Sequence, residues 1–398
     1  MTHIVKIGDI SSQIRGVSYS KNDAVLKKEE GYLPILRANN IQEQGLILDN
    51  LVYVPEHKIS QKQRILSGDV IIAASSGSID VVGKAASAKE DINAGFGAFC
   101  KILRPNTKLV DPRYFANYFQ TKKYRQIISS LAAGANINNL RNEHLDDLEI
   151  LLPPLSEQRR IASILDKADE LRQKRQQAIE KLDQLLQATF IDMFGDPVSN
   201  PKGWDIFKSK SLFQDPPRIG TTTPAKGEGI PVVRVGELGQ FSINFKECGR
   251  VQISESDFKK YELKNGDLVL ARAIGSKNQL GKCSYFSEYF EPVCIDSHVM
   301  RLRPDSKKMH PLWFYFLLSS DQGKKILQSK GGATAVQFNI NSAQANDLDI
   351  ALPPLIEQTK FVEIANKILK NKESHIRALE ANTLLFSALQ NQAFSGTL

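Results

Sequence analysis

The chain has 398 residues, a length that allows two or three hydrophobic cores. Of these residues 41% are hydrophobic and 8% aromatic, a composition typical of ordered globular proteins rather than of disordered ones. No stretch approaches the about 18 uninterrupted apolar residues of a membrane helix, and the first residues lack the apolar region of a signal peptide, so we expect a cytoplasmic location and no membrane partner. Nearly all of the net charge of +8 lies in residues 1–155 and 195–354, and a basic excess of this kind suits a polyanionic partner.

The first 151 residues show alternating strand and helix signals. Ser67-Gly68-Asp69 is a turn that leads into a short apolar run at residues 70–73, which predicts a buried strand. Residues 101–105 predict another strand, ended by proline, and Asp111-Pro112 begins a helix because proline suits the first helical position. We therefore expect a mixed α/β domain over residues 1–151.

Residues 152–195 predict one long helix after a rigid strand exit, Leu152-Pro153-Pro154-Leu155-Ser156-Glu157-Gln158. Its apolar positions alternate in steps of three and four residues, which is typical of a coiled-coil seam. The predicted seam consists of Ile161, Ile164, Ala168, Leu171, Arg175, Ala178, Leu182, Leu185 and Thr189. Gly195-Asp196-Pro197 ends the helix.

The second half repeats these signals about two hundred residues later. Asn265-Gly266-Asp267 answers the first Gly-Asp turn, residues 300–304 answer the proline-ended strand, and His310-Pro311 begins the matching helix. Leu352-Pro353-Pro354-Leu355-Ile356-Glu357-Gln358 repeats the strand exit with one difference. We expect a second domain over residues 196–351, although its start at residues 207–211 matches residues 6–10 poorly.

The last segment, residues 352–398, predicts a second long helix. Its apolar stripe is Phe361, Ile364, Ala365, Ile368, Leu369, Ile376, Leu379, Phe386, Leu389 and Ala393. A helix of this length, roughly 57 Å, cannot bury its stripe against one domain alone, so we expect the two helices to bury each other. The predicted fold is α+β, with two mixed α/β domains joined by two long antiparallel coiled-coil helices in a pseudo-two-fold internal repeat.

Catalytic and metal-binding motifs are missing from the sequence. The Gly77…Gly83-Lys84 and Gly275…Gly281-Lys282 segments have the wrong spacing for a phosphate loop, so a turn between strands is expected. The histidines lack metal-ligand spacing, and the four cysteines lack paired spacing, which favours buried free thiols. We expect no enzymatic activity, no cofactor and no metal.

Aromatic residues cluster at 114–119 and 313–316, and this pattern favours core packing over a platform for stacking bases. Five cations lie late in the helices that carry these clusters, where they suit either the helix dipole or a DNA phosphate. They are Lys122, Lys123, Arg125, Lys324 and Lys325. Both alternatives remain open for these cations at this stage.

The duplicated LPPLxEQ motif, the Phe194-Gly195-Asp196-Pro197 junction with Gly203-Trp204, and Ala393-Phe394-Ser395-Gly396 resemble the specificity subunit of Type I restriction-modification enzymes over nearly the whole chain. The resemblance implies a host-defence and DNA-methylation system in which residues 1–151 and 196–351 are target-recognition domains. Segments 152–195 and 352–398 would form the spacer and dock partners. The implied partners are double-stranded DNA with a bipartite site, two methyltransferase subunits and, through the complex, endonuclease/translocase subunits.

One alternative is a coiled-coil scaffold protein with basic globular ends that bind protein or other polyanions without DNA sequence specificity. Salt-resistant, sequence-discriminating binding to DNA would separate the two, because purely electrostatic binding has neither property.

Base edges are read by polar side chains on loops, so we selected polar residues that follow the short predicted strands. The candidates are Arg37, Asn39, Asn40, Ser75 and Ser76 in the first half, and Arg218, Arg234, Arg272, Ser276 and Lys277 in the second. Several have partial counterparts across the repeat, which predicts that some are structural.

Overall fold

The computed structural model describes residues 3–42, 45–78, 80–133, 139–274, 280–330, 332–333 and 338–398. Contacts divide the chain into two compact units, one of Met1–Gln176 with Arg377–Leu398 and one of Gln177–Ile376. Each unit contains one α/β half and parts of both long helices. In the part of the chain described, no helix is long and apolar enough to cross a membrane.

The first half begins and ends on the same pair of strands, which brings its two termini together. Its strands are β1 (His3–Lys6), β2 (Ser11–Arg15), β3 (Tyr32–Leu36), β4 (Ile41–Gln42), β5 (Gly45–Leu46), β6 (Val52–Pro55), β7 (Val70–Ala73), β8 (Ala85–Ser87), β9 (Gly95–Phe96), β10 (Cys100–Pro105) and β11 (Glu149–Leu152). Its short helices are α1 (Ile7–Ile10), α2 (Pro112–Tyr118), α3 (Lys122–Ala133) and α4 (Asn142–Asp146), and the long helix α5 (Leu155–Phe194) follows.

The second half has the same arrangement. Its strands are β12 (Ile206–Lys208), β13 (Phe213–Ile219), β14 (Ile230–Val233), β15 (Gly249–Val251), β16 (Leu268–Ala271), β17 (Ala273–Ile274), β18 (Cys283–Tyr285), β19 (Cys294–Ile295), β20 (Val299–Pro304), β21 (Gly332–Ala333), β22 (Phe338–Asn339) and β23 (Asp349–Ala351). Its helices are α6 (Glu255–Tyr261), α7 (Pro311–Ser319), α8 (Asp321–Lys330), α9 (Ser342–Asn346) and the long α10 (Leu355–Ser395).

Sheet order confirms the internal repeat. An antiparallel sheet runs β2-β10-β7-β8 in the first half and β13-β20-β16-β18 in the second. A mixed sheet runs β6-β3-β9 in the first half and β15-β14-β19 in the second, and β1-β11 corresponds to β12-β23. Each half is therefore a mixed α/β domain with the same strand order.

A buried ion pair holds each Gly-Asp turn. The Asp69 carboxylate is 1% exposed and accepts from Arg104 Nε and Nη2, both at 2.7 Å. In the second half, Asp267 accepts from Arg303 in the same two-pronged geometry. Gly68 and Gly266 have φ of 87° and 93°, a conformation that favours glycine. These turns set the starting points of β7 and β16.

The glutamine of the repeated LPPLxEQ motif joins each long helix to its domain. Gln158 is 1% exposed; its Oε1 accepts from Asp111 N at 2.8 Å and its Nε2 donates to Pro153 O at 2.8 Å. Gln358 makes the same two bonds with His310 N and Pro353 O. The motif thus links the strand exit, the start of the long helix and the residue before the proline-started helix.

The buried face of α5 differs from the predicted coiled-coil seam. Leu171 and Leu185 are each 49% exposed, whereas Leu186 and Phe190 are 4% and 2% exposed. The seam prediction is wrong at Leu171 and Leu185, because it assumed 3.5 residues per turn. The other predicted seam residues after Leu171 are half-buried: Arg175, Ala178, Leu182 and Thr189. The buried residues Ile161 and Phe190 lie eight turns apart at the 3.6 residues per turn of an α-helix.

The two long helices contact each other in opposite directions within each unit. In the first unit the Arg172 guanidinium lies 4.8 Å from the centre of the Phe386 ring, and Arg160 Nη2 donates to Leu398 O at 2.8 Å. In the second unit, Phe361 packs against Phe190 and Phe194, with ring centres 5.3 and 5.6 Å away.

The junction after α5 is closed by tryptophan. Gly195 has a φ of 78°, which ends the helix as predicted, and Trp204 Nε1 donates to Phe194 O at 3.0 Å. The indole therefore satisfies a carbonyl that the end of the helix leaves without a partner.

The start of the second domain becomes clear once the pairing is known. Ile7 N donates to Leu148 O and Ser209 N to Leu348 O, while Lys6 pairs with Asp147 and Lys208 with Asp347. Lys6 is thus equivalent to Lys208, whereas the sequence comparison had matched it with Phe207. That one-residue offset explains why residues 6–10 and 207–211 matched poorly.

Candidate nucleic-acid interface

Loops that are far apart in the first half's sequence meet at one end of its sheets. Gly97 N donates to Leu36 O at 2.9 Å, and Ala74 N and Ser75 N both donate to Phe99 O, at 2.9 and 3.0 Å. Val17 N donates to Phe96 O, and Leu140 N to Ala74 O. We name this set the first loop cluster; it comprises residues 16–17, 36–40, 74–76, 97–99 and 139–140.

The second half forms an equivalent second loop cluster. It comprises residues 220–221, 233–237, 272–273, 296–298 and 339–340. Asp296 N donates to Val233 O at 2.9 Å, and Arg272 N and Ala273 N both donate to His298 O, at 3.1 and 3.4 Å. Thr221 N donates to Ile295 O at 2.8 Å, and Ile340 N to Arg272 O at 2.8 Å. The same backbone bonds therefore build both clusters from different side chains.

Two glycines allow the close approach that each cluster needs. A Cβ on Gly16 would lie 2.1 Å from Gly97 O, and a Cβ on Gly220 would lie 2.0 Å from Ile295 O. Any side chain at either position would separate the loops.

The candidates after β3 divide into a structural pair and an exposed residue. Asn40 is 1% exposed; its Oδ1 accepts from Arg37 N at 3.0 Å, and its Nδ2 donates to Ile47 O and Asp49 O, both at 2.9 Å. Arg37 Nη2 donates to Asn50 O at 3.0 Å. Asn39 is exposed. The amide of Asn40, a predicted base contact, is therefore used inside the loop, which favours a structural role.

Ser75 and Ser76 lie in the first loop cluster, and both are half-buried. Ser75 forms a bridge with Asn139, and Ser76 Oγ accepts from Ser78 N at 3.2 Å.

Arg234 and Glu237 take the places of Arg37 and Asn40 in the second loop cluster. Glu237 is 6% exposed and accepts from Arg234 N at 2.8 Å and from Arg234 Nη2 at 2.7 Å. These bonds to Glu237 raise the pKa of Arg234. The Arg234 side chain is 46% exposed in spite of this pairing, so part of it still faces solvent.

Arg272, one of the predicted base-reading residues, donates hydrogen bonds within the second loop cluster. Its Nη1 donates to Ser297 O at 2.8 Å, its Nη2 to Asn339 Oδ1 at 2.7 Å and its Nε to Ile340 O at 3.2 Å. Burial lowers the pKa of this guanidinium. With its donors turned inward, Arg272 joins three segments of the second loop cluster.

Arg218 is exposed at the end of β13, two residues before Gly220, and lies opposite Arg301 in the strand pair. Arg301 is 4% exposed, and burial followed by the nearby Arg303 lowers its pKa. Because Arg301 also lies 3.7 Å from Asp215, Arg218 is the exposed cation of this strand pair beside the second loop cluster. Ser276 and Lys277 lie outside the described residues.

Comparison with known proteins decides the family. The family described as Type I restriction modification DNA specificity domain matches the chain twice, over residues 2–181 and 201–381. The chain belongs to this family. Each matched segment contains one complete loop cluster.

Two specificity subunits are similar over almost the whole chain. The Type I restriction enzyme StySPI specificity subunit of Salmonella potsdam is 30% identical, covering 98% of this chain and 88% of that protein. The Type I restriction enzyme EcoKI specificity subunit of Escherichia coli strain K12 is also 30% identical, covering 99% and 89%.

Two solved structures share the fold. The Type I restriction-modification S subunit from M. genitalium has a TM-score of 0.57 at 15% identity and covers 99% of this chain and 96% of that one. A chain from a structural study of complex assembly and conformational transition in the type I restriction-modification system has a TM-score of 0.55 at 17% identity, with 100% and 98% covered.

The DNA-contact candidates chosen from the sequence did not include an exposed ring that stands at the same turn in both loop clusters. Phe99 is 70% exposed, and the side chain of His298, its counterpart, is 57% exposed. A signal for these residues was available, because both stand two positions before the strand segments 101–105 and 300–304 that were already aligned.

Other sequence features have structural roles in this specificity-domain protein. The aromatic clusters are core as predicted, with Tyr114, Phe115, Trp313 and Phe314 all 0% exposed. Arg125, one of the five helix cations, donates from Nη1 to Val82 O at 2.8 Å, so it has a structural role that does not require DNA. The four cysteines are free thiols, three of them buried. The described residues contain no group of three or more His, Cys, Asp or Glu placed to hold a metal ion.

Proposed function

We propose that this chain is the non-catalytic DNA-reading subunit of a Type I restriction-modification system. Each domain reads one half of a bipartite target in double-stranded DNA. The complex that the chain organises contains methyltransferase subunits, which it directs to that site, and endonuclease/translocase subunits reached through them.

One observation carries this proposal: a chain of the specificity family contains the same loop cluster twice, built on the same backbone bonds from different side chains. A repeated scaffold with different exposed groups suits two half-sites of different sequence, because base edges are discriminated by the side chains presented to them. The scaffold alternative explains neither the duplication of the loop cluster nor its family.

The proposed contacts follow from exposure. Asn39, Ser75 and Ser76 present polar groups in the first domain, and Arg218 and the outer part of Arg234 do so in the second. Ser276 and Lys277 remain predicted contacts of the second domain. Asn40 and Arg272 support the loops from inside and leave the set of base-reading residues.

The long helices are the proposed spacer. α5 and α10 contact each other with aromatic rings and paired charges, and they would set the distance between the half-sites as an antiparallel coiled coil. Their exposed faces would dock two methyltransferase subunits. We propose a cytoplasmic complex without a membrane partner, in which this chain supplies no catalytic residue and no cofactor site.

The test has a cellular and a biochemical part. Modified bases are mapped genome-wide in cells with and without this chain, and we expect one bipartite sequence to lose its modification when the chain is absent. The purified complex should then prefer that sequence over a scrambled duplex at about 0.2 M salt, where binding that rests on charge alone weakens. An unchanged modification map, or binding without discrimination, would reject the proposal.

A further inference from the structure

Both loop clusters present an aromatic ring from the same tight turn. In the first domain the turn closes with Cys100 N donating to Gly97 O at 2.8 Å, and in the second with Val299 N donating to Asp296 O at 3.1 Å. The third residue of the turn is Phe99 in one domain and His298 in the other. The backbone is thus alike, whereas the chemistry of the ring differs.

Phe99 is held by its backbone and exposed by its side chain. Its carbonyl accepts two bonds, from Ala74 N and Ser75 N, so the turn is anchored to the loop after β7. The side chain is nevertheless 70% exposed. Single exposed apolar residues are common on protein surfaces, but this one stands where three loops converge next to serines, glycines and alanines.

His298 is anchored in the same way and is also oriented. Its carbonyl accepts from Arg272 N and Ala273 N, and its backbone N–H donates to Asp296 Oδ1 at 2.8 Å. The ring Nδ1 lies 2.7 Å from the same carboxylate oxygen. This contact fixes the ring and directs the opposite nitrogen, Nε2, away from Asp296.

Cations stand beside both turns. In the first domain Lys101 lies two residues after Phe99 and opposite Arg15 in the strand pair. Lys101 Nζ donates to Asn142 Oδ1 at 2.7 Å, whereas Arg15 is exposed. Arg15 is therefore the cation of this pair that can meet an anionic partner. In the second domain Arg218 is exposed opposite Arg301, which is 4% exposed and lies 3.7 Å from Asp215. DNA phosphates at Arg15 and Arg218 would bring the neighbouring ring to the base edges.

We propose that Phe99 and His298 are base-contacting residues at equivalent positions of the two half-sites, an inference that rests on the proposed function. Phe99 takes a thymine C5-methyl group by apolar contact, and His298 makes a hydrogen bond through Nε2 to a base edge. These chemistries follow from the rings themselves, since Phe contacts the thymine methyl whereas a nitrogen-bearing ring can donate or accept.

The first experiment uses three alanine variants of the full chain in its complex with the methyltransferase subunits. Phe99→Ala and His298→Ala are each compared with Phe290→Ala, which removes an 84% exposed Phe before β19, at the opposite end of that strand from the second loop cluster. Competition is measured between the mapped target and duplexes with one half-site scrambled. We expect roughly tenfold loss of discrimination in one half-site for Phe99→Ala and in the other for His298→Ala, with none for Phe290→Ala.

The second experiment identifies the group that Phe99 contacts. Thymines of the first half-site are replaced singly by deoxyuridine, which lacks only the methyl group. One replacement should weaken wild-type binding and leave Phe99→Ala unchanged. Equal weakening in both proteins at every position, or insertion of the ring between base pairs revealed by a kinked duplex, would overturn the assignment.

The outcomes separate this inference from the function on which it rests. If the wild-type complex discriminates its target and neither ring variant changes half-site preference, the inference fails and the proposed function stands. If the wild-type complex itself shows no discrimination, the proposed function fails first. Thermal melts of all variants should coincide, because exposed side chains contribute little to stability.

Discussion

Asn40 and Glu237 occupy equivalent positions, and both stabilise the start of a loop, one with an amide and the other with a carboxylate. Each accepts a hydrogen bond from the backbone N–H three residues earlier, of Arg37 or Arg234, and closes a 3₁₀ turn at the start of a loop. Asn40 then donates to two carbonyls, whereas Glu237 accepts from a guanidinium. The buried acceptor preserves the shape of the loop, and the exposed neighbours are free to vary.

Neighbouring asparagines should therefore respond differently to substitution. Asn40→Ala leaves Arg37 N and two carbonyls without partners, so we expect the free energy of unfolding of the first unit to fall by about 2–4 kcal/mol. Asn39→Ala should leave stability within about 0.5 kcal/mol while reducing discrimination in one half-site. Urea unfolding followed by circular dichroism, with competition binding, measures both. Equal destabilisation by the two changes would contradict this assignment.

Asp347 predicts an acid dependence of the second unit. Hydrogen bonds from Lys208 and Lys330 lower its pKa from 3.8 to about 2. Because the folded pKa lies below that of the unfolded chain, the stabilisation is present above pH 4 and is lost as the pH falls toward 2.

We expect Asp347→Asn to reduce the pH dependence of stability between pH 4 and 2 and to lower stability slightly near neutral pH. Both tryptophans of the chain, Trp204 and Trp313, lie in the second unit, so their fluorescence in urea reports on it. Asp321→Asn is the control, since that carboxylate is 82% exposed and lies 3.6 Å from Lys324. Parallel pH profiles for wild type and Asp347→Asn would refute the role of this carboxylate.

At the scale of elements, the LPPLxEQ motif has a glutamate and a glutamine with different roles. Glu357 pairs with Lys360 on the surface, whereas Gln358 is 0% exposed and bonds His310 N and Pro353 O. We expect Gln358→Leu to lower the free energy of unfolding of the second unit by about 2–4 kcal/mol, because two backbone groups lose their partner. Glu357→Gln, the matched control, should cost no more than about 1 kcal/mol.

Tryptophan fluorescence in urea measures both motif variants. A loss below 1 kcal/mol for Gln358→Leu would mean that water replaces the side chain and that the glutamine does not join helix and domain.

Two adjacent leucines of α5 test which face of this helix is buried. Leu185 and Leu186 are adjacent leucines, and the heptad pattern places the first inside, whereas the structure buries the second. We expect Leu186→Ala to destabilise the second unit by about 2–5 kcal/mol and Leu185→Ala by less than about 1 kcal/mol. The same fluorescence assay checks this, and the reverse order would restore the heptad phase.

At the scale of the whole molecule, each long helix contributes one part to each of the two compact units, so neither helix forms a unit of its own. A change of helix length must then be made in both helices to keep their facing residues in register. Removing seven residues turns the buried stripe by only about 20°, so a matched deletion preserves most contacts.

We expect a matched deletion of seven residues, from the α5 segment between Ile161 and Thr189 and from the α10 segment between Ile368 and Leu379, to shorten the spacer by roughly 10 Å. Duplex DNA advances about 3.4 Å per base pair, so the preferred gap should shorten by about three base pairs with both half-sites unchanged. Binding to a series of duplexes with different gaps measures this. A folded deletion variant that keeps the original gap would show that the helices do not set the spacing.

The sequence alone determined the architecture of the chain. The Gly-Asp turns, the proline-started helices and the two LPPLxEQ motifs are local signals, and each was confirmed where it was predicted. Such signals succeed because turn geometry, proline position and helix ends depend on a few adjacent residues. The internal repeat and the family followed from them.

The tertiary structure alone decided which side chains face inward. Asn40 and Arg272 have the residue types of base readers, yet they bind loop backbone groups as far as 9 and 68 residues away, which makes them loop supports. Leu186 rather than Leu185 is buried because an α-helix has 3.6 residues per turn. The apolar residues of the sequence are also compatible with a period of 3.5 residues, and that period selects Leu185. Exposure depends on what long-range packing brings against a residue, and a single sequence does not contain that information in any local pattern.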